Sequence, residues 1–215
     1  MKNKYILDPC ETEQELSDAF KLRYLAYRNV NAIDANPDET FTDKYDILEN
    51  SKTCAIYEDG DLVASIRACV YSPEHNFMHL PAFEVYKDEI EREIGLDKVL
   101  IESNRFVIDP KKVDSKELFK IPFRFILLNG LKFNSEYILT AVRAKHAPLY
   151  KRLMGFETIS AAKKYPGINV EMVLMAGHCE SGIPIIRERE EIFRFTDEEI
   201  DNYIFSPDMQ LNVGI

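Results

Sequence analysis

The sequence is poor in features that mark several large classes of protein. It contains no tryptophan, and its four cysteines are scattered, so we expect reduced, mostly buried thiols rather than a disulfide framework. Its longest apolar stretch, residues 121–131, is interrupted by Pro122, Arg124 and Asn129 and is too short to span a bilayer. The first eight residues show no apolar segment of a secretory signal. These absences predict a cytoplasmic protein without a membrane span.

Negative charge exceeds positive charge overall, yet positive charge is concentrated in one segment. The 215 residues carry a net charge of -10, which argues against general nucleic-acid binding. Residues 105–164 nevertheless hold 13 Lys and Arg against 5 Asp and Glu. This segment is either a solvated face that pairs with acidic neighbours or a contact for an anionic partner, such as a phosphate-bearing cofactor or an acidic carrier protein.

The order of helical and extended patterns predicts the fold class. A capping box, Thr12-x-x-Glu15, predicts a first helix that ends near Asn29, and Asp59-Gly60 predicts a hairpin turn between two strands. Later helices are predicted near residues 83–94, 122–133 and 146–154, and later strands near residues 99–108, 136–142, 156–160 and 169–177. This alternation indicates an α/β protein with a mixed sheet. We expect one domain over residues 1–182 and a helical tail, residues 183–215, packed on it.

One arginine falls on the apolar face of the predicted first helix. Arg23 lies in the middle of a stripe of apolar residues spaced at 100°. A guanidinium there needs an anion, which is either a buried salt-bridge partner or a ligand. Candidate partners are Glu102 and two aspartates, Asp43 and Asp46, in a loop predicted for residues 31–46. Such aspartates could also bind a ligand's amine, and they support a metal ion only weakly because no further ligands follow at suitable spacing.

A polar run interrupts an otherwise apolar strand. The run is Glu102-Ser103-Asn104-Arg105, with three apolar residues on each side. A regular strand would place Glu102 and Arg105 on opposite faces, whereas a bulge near Ser103-Asn104 would bring them together and free backbone N–H groups. Such N–H groups can hold an oxyanion, and the carboxylate can accept a proton from an ammonium. The alternative is an edge strand with its polar residues in water.

Two further sets of residues could serve as a catalytic acid or as metal ligands. A short predicted helix places Tyr150 near the centre of the sheet, where its phenol can protonate a departing thiolate or simply pack. His75 and His79 are four residues apart, but prolines flank them, which favours a solvated loop over a metal site. No P-loop, G-x-G-x-x-G motif or local Cys-His signature is present.

Several of these segments together resemble the GNAT N-acyltransferase superfamily. Residues 149–156 resemble its late helix and strand, where a tyrosine commonly acts as general acid. The more specific likeness is to the branch that contains the acyl-homoserine-lactone synthases and the long-chain N-acyl amino acid synthases. Its motifs occur in the family's order over residues 16–177: an early Arg23-x-x-x-Tyr27 pair, a D-x-[FY]-D loop at Asp43-Lys44-Tyr45-Asp46, an early-strand Arg67, and an E-x-[SN]-R-F strand at Glu102-Ser103-Asn104-Arg105-Phe106.

The sequence departs from the branch's motifs at several positions, and these differences favour one group of the branch over the other. Phe41 stands where the lactone synthases carry a glutamate, and the tryptophan that they tend to have is absent, which favours the amino acid synthases. The R-x-x-G-x-[GA] pyrophosphate loop of acetyl-CoA enzymes is also missing, because residues 108–112 read Ile-Asp-Pro-Lys-Lys. This suggests a donor that is held mainly by its pantetheine arm and by a carrier protein.

The resemblance implies a fold and an activity. The fold is GNAT-like, with a mixed, mostly antiparallel central sheet flanked by helices. The activity is N-acylation of an amino acid or related small molecule, with an acyl-CoA or acyl-carrier-protein thioester as donor and no metal. The alternatives are an acetyl-CoA-dependent N-acetyltransferase, an acyl-homoserine-lactone synthase and, without catalysis, a degenerate domain that senses an acyl ligand.

The resemblance also implies roles for residues by their place in the motifs. The catalytic pair would be Glu102 and Tyr150. Oxyanion and donor binding would involve Asn104, Arg105, Phe106 and His146. The acceptor would be bound by Arg23, Tyr27, Asp43, Asp46 and Arg67. Four apolar residues of one helix, Phe123, Phe125, Ile126 and Leu127, either line an acyl tunnel or pack in the core.

Overall fold

The computed structural model describes residues 5–201 as a sheet flanked by helices. The strands are β1 (Tyr5–Pro9), β2 (Ser51–Glu58), β3 (Asp61–Tyr71), β4 (Leu100–Ile108), β5 (Tyr137–Val142), β6 (Glu157–Thr158), β7 (Lys163–Lys164) and β8 (Glu171–His178). The helices are α1 (Glu13–Asn29), α2 (Phe83–Glu93), α3 (Ile121–Lys132), α4 (Ala147–Met154), α5 (Cys179–Arg189) and α6 (Asp197–Asp201). The strand order is β1-β2-β3-β4-β5-β8-β6, with β7 paired to β8.

The sheet is mostly antiparallel, as the sequence predicts. Among the pairings of the described strands, only that of β4 with β5 is parallel. The chain passes from β4 to β5 through α3, because two parallel neighbours need a crossover connection. The predicted mixed α/β architecture is therefore confirmed.

Local signals explain where the first elements begin and turn. The Thr12 side chain accepts from the Glu15 N–H, and the Glu15 side chain accepts in return, so the predicted capping box opens α1. The hairpin between β2 and β3 turns at Asp59 and Gly60, with φ of 53° and 90°. Both angles suit the tight hairpin turn that an Asp-Gly pair predicts.

Helices cover both faces of the sheet. On one face, α3 buries nine of its twelve residues, and its side chains share a core cluster with the inward residues of β2, β3 and β4. On the other face, α2 contributes Tyr86 and Ile90 to a second cluster that contains Leu100 of β4 and Leu139 of β5. The inner strands are thus buried on both sides, which explains their near-continuous apolar character.

The structure differs from the sequence prediction at short or late elements. β1 and β7 were not predicted, and β6 covers only two residues of the strand expected over residues 156–160. α5 begins at Cys179, within the expected main domain, and Thr196 caps α6 by accepting from the Glu199 N–H at 3.1 Å. Residues 202–215 of the expected tail lie outside the described part, and the division at residue 183 stays a prediction. Within residues 5–201, no helix combines the length and apolarity needed to cross a membrane.

Candidate active site

Arg23 is a buried cation on α1. Its side chain has no exposed surface, and its Nη1 donates to Asp46 Oδ1 at 2.7 Å. Its Nη2 donates to the hydroxyl of Thr53 on β2, also at 2.7 Å. Such pairing offsets the cost of burying a guanidinium. The buried salt bridge that the sequence predicted as one role of Arg23 is present, and its role in binding the acceptor stays a prediction.

Asp43 bridges two more arginines from neighbouring strands. Its Oδ1 accepts from Nη1 of Arg67 on β3 at 2.7 Å, and its Oδ2 accepts from Nη2 at 3.0 Å. Arg105 of β4 donates to the same Oδ2 through Nε at 3.0 Å and Nη2 at 2.5 Å. Nη1 of Arg67 also lies 2.7 Å from Oδ1 of Asp46. One network of ion pairs therefore joins α1, the loop after it, β3 and β4.

This Arg/Asp cluster, consisting of Arg23, Asp43, Asp46, Arg67 and Arg105, carries three formal positive charges and two negative ones. Burial alone would raise the pKa of both aspartates. The hydrogen bonds and positive charges of the arginines outweigh burial and hold both pKa values below their ordinary range. The aspartates are consequently ionised at neutral pH, and the cluster keeps one excess positive charge.

A bulge in β4 aims the Arg105 side chain into the cluster. The register between β3 and β4 shifts between Ser65 and Arg67, and Arg105 itself has a φ of 52°. The sequence predicted a bulge near Ser103-Asn104, and the structure has it slightly further along the strand. Because β4 lies between β3 and β5, the alternative of an edge strand is wrong.

Two parallel strands separate beside the bulge. β4 pairs with β5 only from Leu100 to Ser103, although β4 continues to Ile108 and β5 to Val142. Beyond Ser103, the backbone of β4 therefore has no partner in β5. A backbone edge of this kind can offer N–H groups to a carbonyl oxygen that enters between the strands.

Glu102 lies on β4 immediately before this opening, with no exposed surface. Its Oε2 accepts a hydrogen bond from the Ala82 N–H, which precedes α2, at 2.7 Å. Burial raises the pKa of Glu102 to about 7, against the lowering effects of that hydrogen bond and of Arg67 and Arg105. A carboxyl group with a pKa near neutrality is suited to act as a general base at physiological pH.

Tyr165 contacts Glu102, although no pattern in the sequence predicts a site role for it. It lies in the loop between β7 and β8, and its hydroxyl is 3.5 Å from Glu102 Oε1. The residues after it are Pro166 and Gly167, which predict a turn but no function. Because 63 positions separate the two side chains, no local pattern could have joined them.

Tyr150, on α4, is buried against two phenylalanine rings. Its centroid lies 5.5 Å from that of Phe123 and 6.2 Å from that of Phe119, and both rings pack against Phe106 of β4. We call these four rings the aromatic cluster. Burial, and secondarily the neighbouring Tyr27, raise the pKa of Tyr150 above its ordinary value. The phenol is therefore protonated at neutral pH.

The structure places the other predicted site residues, Asn104, Tyr27 and His146, in three separate environments. Asn104 holds Arg67, because its Oδ1 accepts from Arg67 Nε at 2.6 Å. Tyr27 packs edge-on against Phe41, with 4.9 Å between ring centroids. His146 is exposed on the turn before α4, where partial burial and the charges of its basic neighbours lower its pKa. Nothing in the contacts of His146 ties it to Glu102 or to the Arg/Asp cluster within residues 5–201.

Cavities adjoin both clusters. One of about 360 Å³ is lined by Asp43 and Arg105 of the Arg/Asp cluster and by Tyr165. Another of about 610 Å³ shares Phe41 and Tyr165 in its lining. A third, of about 440 Å³, adjoins Phe119 of the aromatic cluster. It is lined by four basic side chains and two acidic ones: Lys116, Lys120, Arg152, Arg189, Asp114 and Glu190. In the described part of the chain, no three His, Cys, Asp or Glu side chains are grouped to hold a metal ion.

Comparison with solved structures shows that this fold is shared. FeeM, an N-acyl amino acid synthase from uncultured soil microbes, is similar with a TM-score of 0.71 and 17% identity over 86% of this chain and 98% of that chain. The CoA-dependent acyl-homoserine lactone synthase MesI is similar with a TM-score of 0.61 and 14% identity over 89% and 96%. For the synthase LasI, the TM-score is 0.65 and the identity 15% over 85% and 92%. At such identities the likeness shows the fold alone.

Comparison by sequence assigns the family. No curated protein sequence gives a significant match. A family profile described as N-acyl amino acid synthase FeeM, however, matches residues 18–178, which span α1 to the end of β8. The sequence-based resemblance and the GNAT-like fold are both confirmed. The chain belongs to the FeeM family of N-acyl amino acid synthases and is an N-acyltransferase.

Proposed function

We propose that this N-acyltransferase joins an acyl group from an acyl-CoA or acyl-carrier-protein thioester to the amine of an amino acid or related small molecule. The observation that carries the proposal is the buried Glu102, with a pKa of about 7, beside a cluster with one excess positive charge. An α-amino acid presents an ammonium group and a carboxylate on one carbon. The ammonium suits Glu102 and the carboxylate suits the Arg/Asp cluster.

In the proposed reaction, the acceptor occupies the cavity of about 360 Å³ beside Asp43 and Arg105. Glu102 takes a proton from the ammonium, either directly or through a water molecule, which frees the nitrogen lone pair. The remaining acceptor-binding residues, Arg23, Asp46 and Arg67, would hold Asp43 and Arg105 in place, and Tyr27 would pack at the entrance with Phe41. This division of roles follows from the complete burial of Arg23 and Arg67, which leaves Arg105 and Asp43 nearer the cavity.

The bond changes are those of direct transfer without an acyl-enzyme. The amine nitrogen attacks the thioester carbonyl carbon, and the carbonyl oxygen becomes an oxyanion. Backbone N–H groups near Asn104, Arg105 and Phe106, where β4 has left β5, would stabilise that oxyanion. Collapse of the intermediate forms the amide and breaks the C–S bond. In this step the nitrogen gives up its second proton to water, while the thiolate takes a proton from Tyr150, which is then reprotonated from water.

Tyr150 is the proposed acid for the departing thiolate. Its raised pKa keeps it protonated at neutral pH, as a proton donor must be. The same burial makes the phenolic proton harder to release. We therefore expect Tyr150 to act by a hydrogen bond that strengthens as charge develops on the sulfur, with proton transfer late in the step.

The donor would approach through the basic cavity of about 440 Å³ beside Phe119. Its four basic side chains outnumber two acidic ones, of which Glu190 pairs with Lys120, and the remaining positive charge suits phosphate groups. The apolar Leu149 and Leu153 in its wall suit a pantetheine arm. These features support a CoA or carrier-protein thioester equally. His146, exposed before α4 and close to Lys145, would belong to a carrier-protein contact on the basic segment rather than to the oxyanion site.

The cysteines support a cytoplasmic location. All four are free and buried, and the structure pairs none of them in a disulfide. Buried free thiols of this kind are typical of proteins in reducing compartments. Phe125, Ile126 and Leu127 of α3 are packed in the core without exposed surface, which supports core packing over an acyl tunnel for these residues.

A thiol-release assay tests the proposal. Acyl-CoA and acyl-carrier-protein donors from acetyl to palmitoyl are offered with pooled amino acids to the wild type and to Glu102→Gln. We expect turnover with long-chain donors that falls by about a hundredfold in Glu102→Gln, because a general base is lost. Glu91→Gln, an exposed glutamate on α2, is the matched control and should leave the rate unchanged. Turnover with acetyl donors alone would indicate an N-acetyltransferase, and thioester binding without turnover would indicate a sensing domain.

A further inference from the structure

The two carboxylate oxygens of Glu102 have unequal surroundings. Oε2 accepts a short hydrogen bond of 2.7 Å from a backbone N–H, that of Ala82, which cannot rotate away. Oε1 instead faces the hydroxyl of Tyr165 at 3.5 Å, a long contact for an O–H donor. Because Oε2 holds a short hydrogen bond and Oε1 only a long one, Oε1 is the oxygen that is more available for a proton.

Tyr165 is held so that its hydroxyl stays next to Oε1. The side chain is 7% exposed, and its ring lies 6.4 Å from that of Tyr86, which is itself anchored by a 2.6 Å hydrogen bond to the Met172 carbonyl on β8. Tyr165 also forms part of the wall of the proposed acceptor cavity. Its phenol therefore borders both Glu102 and the space where an amine would sit.

We propose that Tyr165 is a positioning residue that shares a hydrogen bond with Oε1 of Glu102 and so sets how readily this oxygen takes a proton from the acceptor. The inference rests on the proposed function, in which Glu102 is the base. A phenol can donate to the ionised carboxylate but leaves it able to accept a second hydrogen bond from an ammonium. The long contact keeps Oε1 from being tied up as firmly as Oε2.

Most of the other groups that face Glu102 are held by partners of their own, and only Asn104 among them also bonds to Glu102. The nearby ionisable or polar side chains come from the loop before β2 and from β3 and β4, and they are Tyr45, Arg67, Cys69, Asn104 and Arg105. The two arginines are engaged with Asp43, and the Tyr45 hydroxyl donates to Glu84 at 2.7 Å. Asn104 accepts from Arg67 through Oδ1, and its side-chain amide donates both to the Cys69 sulfur and to Glu102, where it lowers the carboxyl pKa. The Tyr165 hydroxyl is the side-chain donor that lies next to Oε1 from the cavity side.

Removal of the Tyr165 hydroxyl is expected to change the Glu102 pKa in one direction, which can be measured. A donor to an ionised carboxylate stabilises the charged form, so its loss raises the carboxyl pKa. A single hydrogen bond of modest strength corresponds to an upward shift of about half a pKa unit. With the wild-type pKa of Glu102 at about 7, the ionised fraction at an acidic pH near 6 would fall by about threefold, and near pH 9 it would hardly change.

The experiment follows Glu102 by NMR in full-length protein labelled with carbon-13 at the glutamate side-chain carboxyl carbon. The Glu102 resonance is assigned by its loss in Glu102→Gln, and it is titrated in the wild type, in Tyr165→Phe and in Tyr86→Phe. Tyr86→Phe is the matched control, because it removes a buried phenol from the same cluster but one bonded to the Met172 carbonyl. Tyr165→Phe is expected to raise the Glu102 pKa, and Tyr86→Phe is expected to leave it unchanged.

An unshifted Glu102 in Tyr165→Phe would overturn the inference, as would equal shifts in both variants, which would indicate general repacking. The titration needs no substrate, so it distinguishes failure of this inference from failure of the proposed function. Where turnover is present, the acidic limb of kcat/KM in Tyr165→Phe is expected to move to higher pH with the NMR value. A lower kcat/KM at every pH, without that displacement, would mean that Tyr165 is only structural.

Discussion

Replacing Asp43 with asparagine tests the Arg/Asp cluster most sharply. The substitution keeps the oxygen that accepts from the Tyr45 N–H at 2.9 Å, but it removes the charge shared by Arg67 and Arg105. These arginines are 0% and 8% exposed. Breaking a buried ion pair from one side typically costs about 3–5 kcal/mol, because the other charge is left uncompensated. Asp43 is 20% exposed at its side chain, and Asp46 still pairs with Arg67, so we expect the lower end of that range.

Two other substitutions give stability losses with which that of Asp43→Asn can be compared. Asp46→Asn is expected to cost more than Asp43→Asn, because Asp46 is fully buried and pairs with both Arg23 and Arg67. Asp38→Asn removes an exposed aspartate of the same loop and is expected to change stability by less than about 0.5 kcal/mol. Urea unfolding measures all three from the midpoint and slope. A loss of about 3 kcal/mol corresponds to a fall in Tm of about 6–12 °C for a chain of this size. Equal stability of Asp43→Asn and Asp38→Asn would refute the reasoning.

Three further predictions concern catalysis and pH. Tyr150→Phe is expected to lower kcat by about a hundredfold with little change in the urea midpoint, since the ring stays in the aromatic cluster; an unchanged kcat would exclude the proposed acid. Glu102 has a folded pKa of about 7, above the unfolded value of about 4.3, so its ionisation destabilises the wild type as pH rises through this window. Glu102→Gln should therefore gain stability relative to the wild type between about pH 5 and about pH 8, by up to about 3 kcal/mol, as compared by urea midpoints. Asp43 has a lowered pKa, so its stabilisation is present above about pH 4 and is lost as pH falls; the stability gap between wild type and Asp43→Asn should shrink in acid.

Most of the fold could be predicted from the sequence because its elements carry local signals. The capping box at Thr12 and the Asp59-Gly60 turn each specify a backbone geometry through neighbouring residues. The strands β1 and β7 could not be predicted in this way. β1 is a short edge strand that ends at Pro9, and β7 has only two residues, so both depend on pairing with distant strands.

The site could be predicted only in part, for a similar physical reason. Arg23 was detectable because a charge on an apolar helical face requires a partner, and Glu102 because a carboxylate interrupts a buried strand. Which aspartate pairs with which arginine depends on how a loop folds across β3 and β4, and no periodicity encodes that. Tyr165 shows the limit most clearly, since its role arises from a contact across the fold to Glu102.

The mass of the product tests the central claim most directly. The enzyme is incubated with a long-chain acyl-CoA or acyl-carrier-protein donor and a pool of nitrogen-15-labelled amino acids, and the products are read by mass spectrometry. We expect an acylated amino acid that retains the nitrogen-15 label, with a yield that collapses in Glu102→Gln and persists in Glu91→Gln. Release of free fatty acid without a labelled amide, or an equal yield of amide from Glu102→Gln, would show that Glu102 does not catalyse N-acylation of an amino acid.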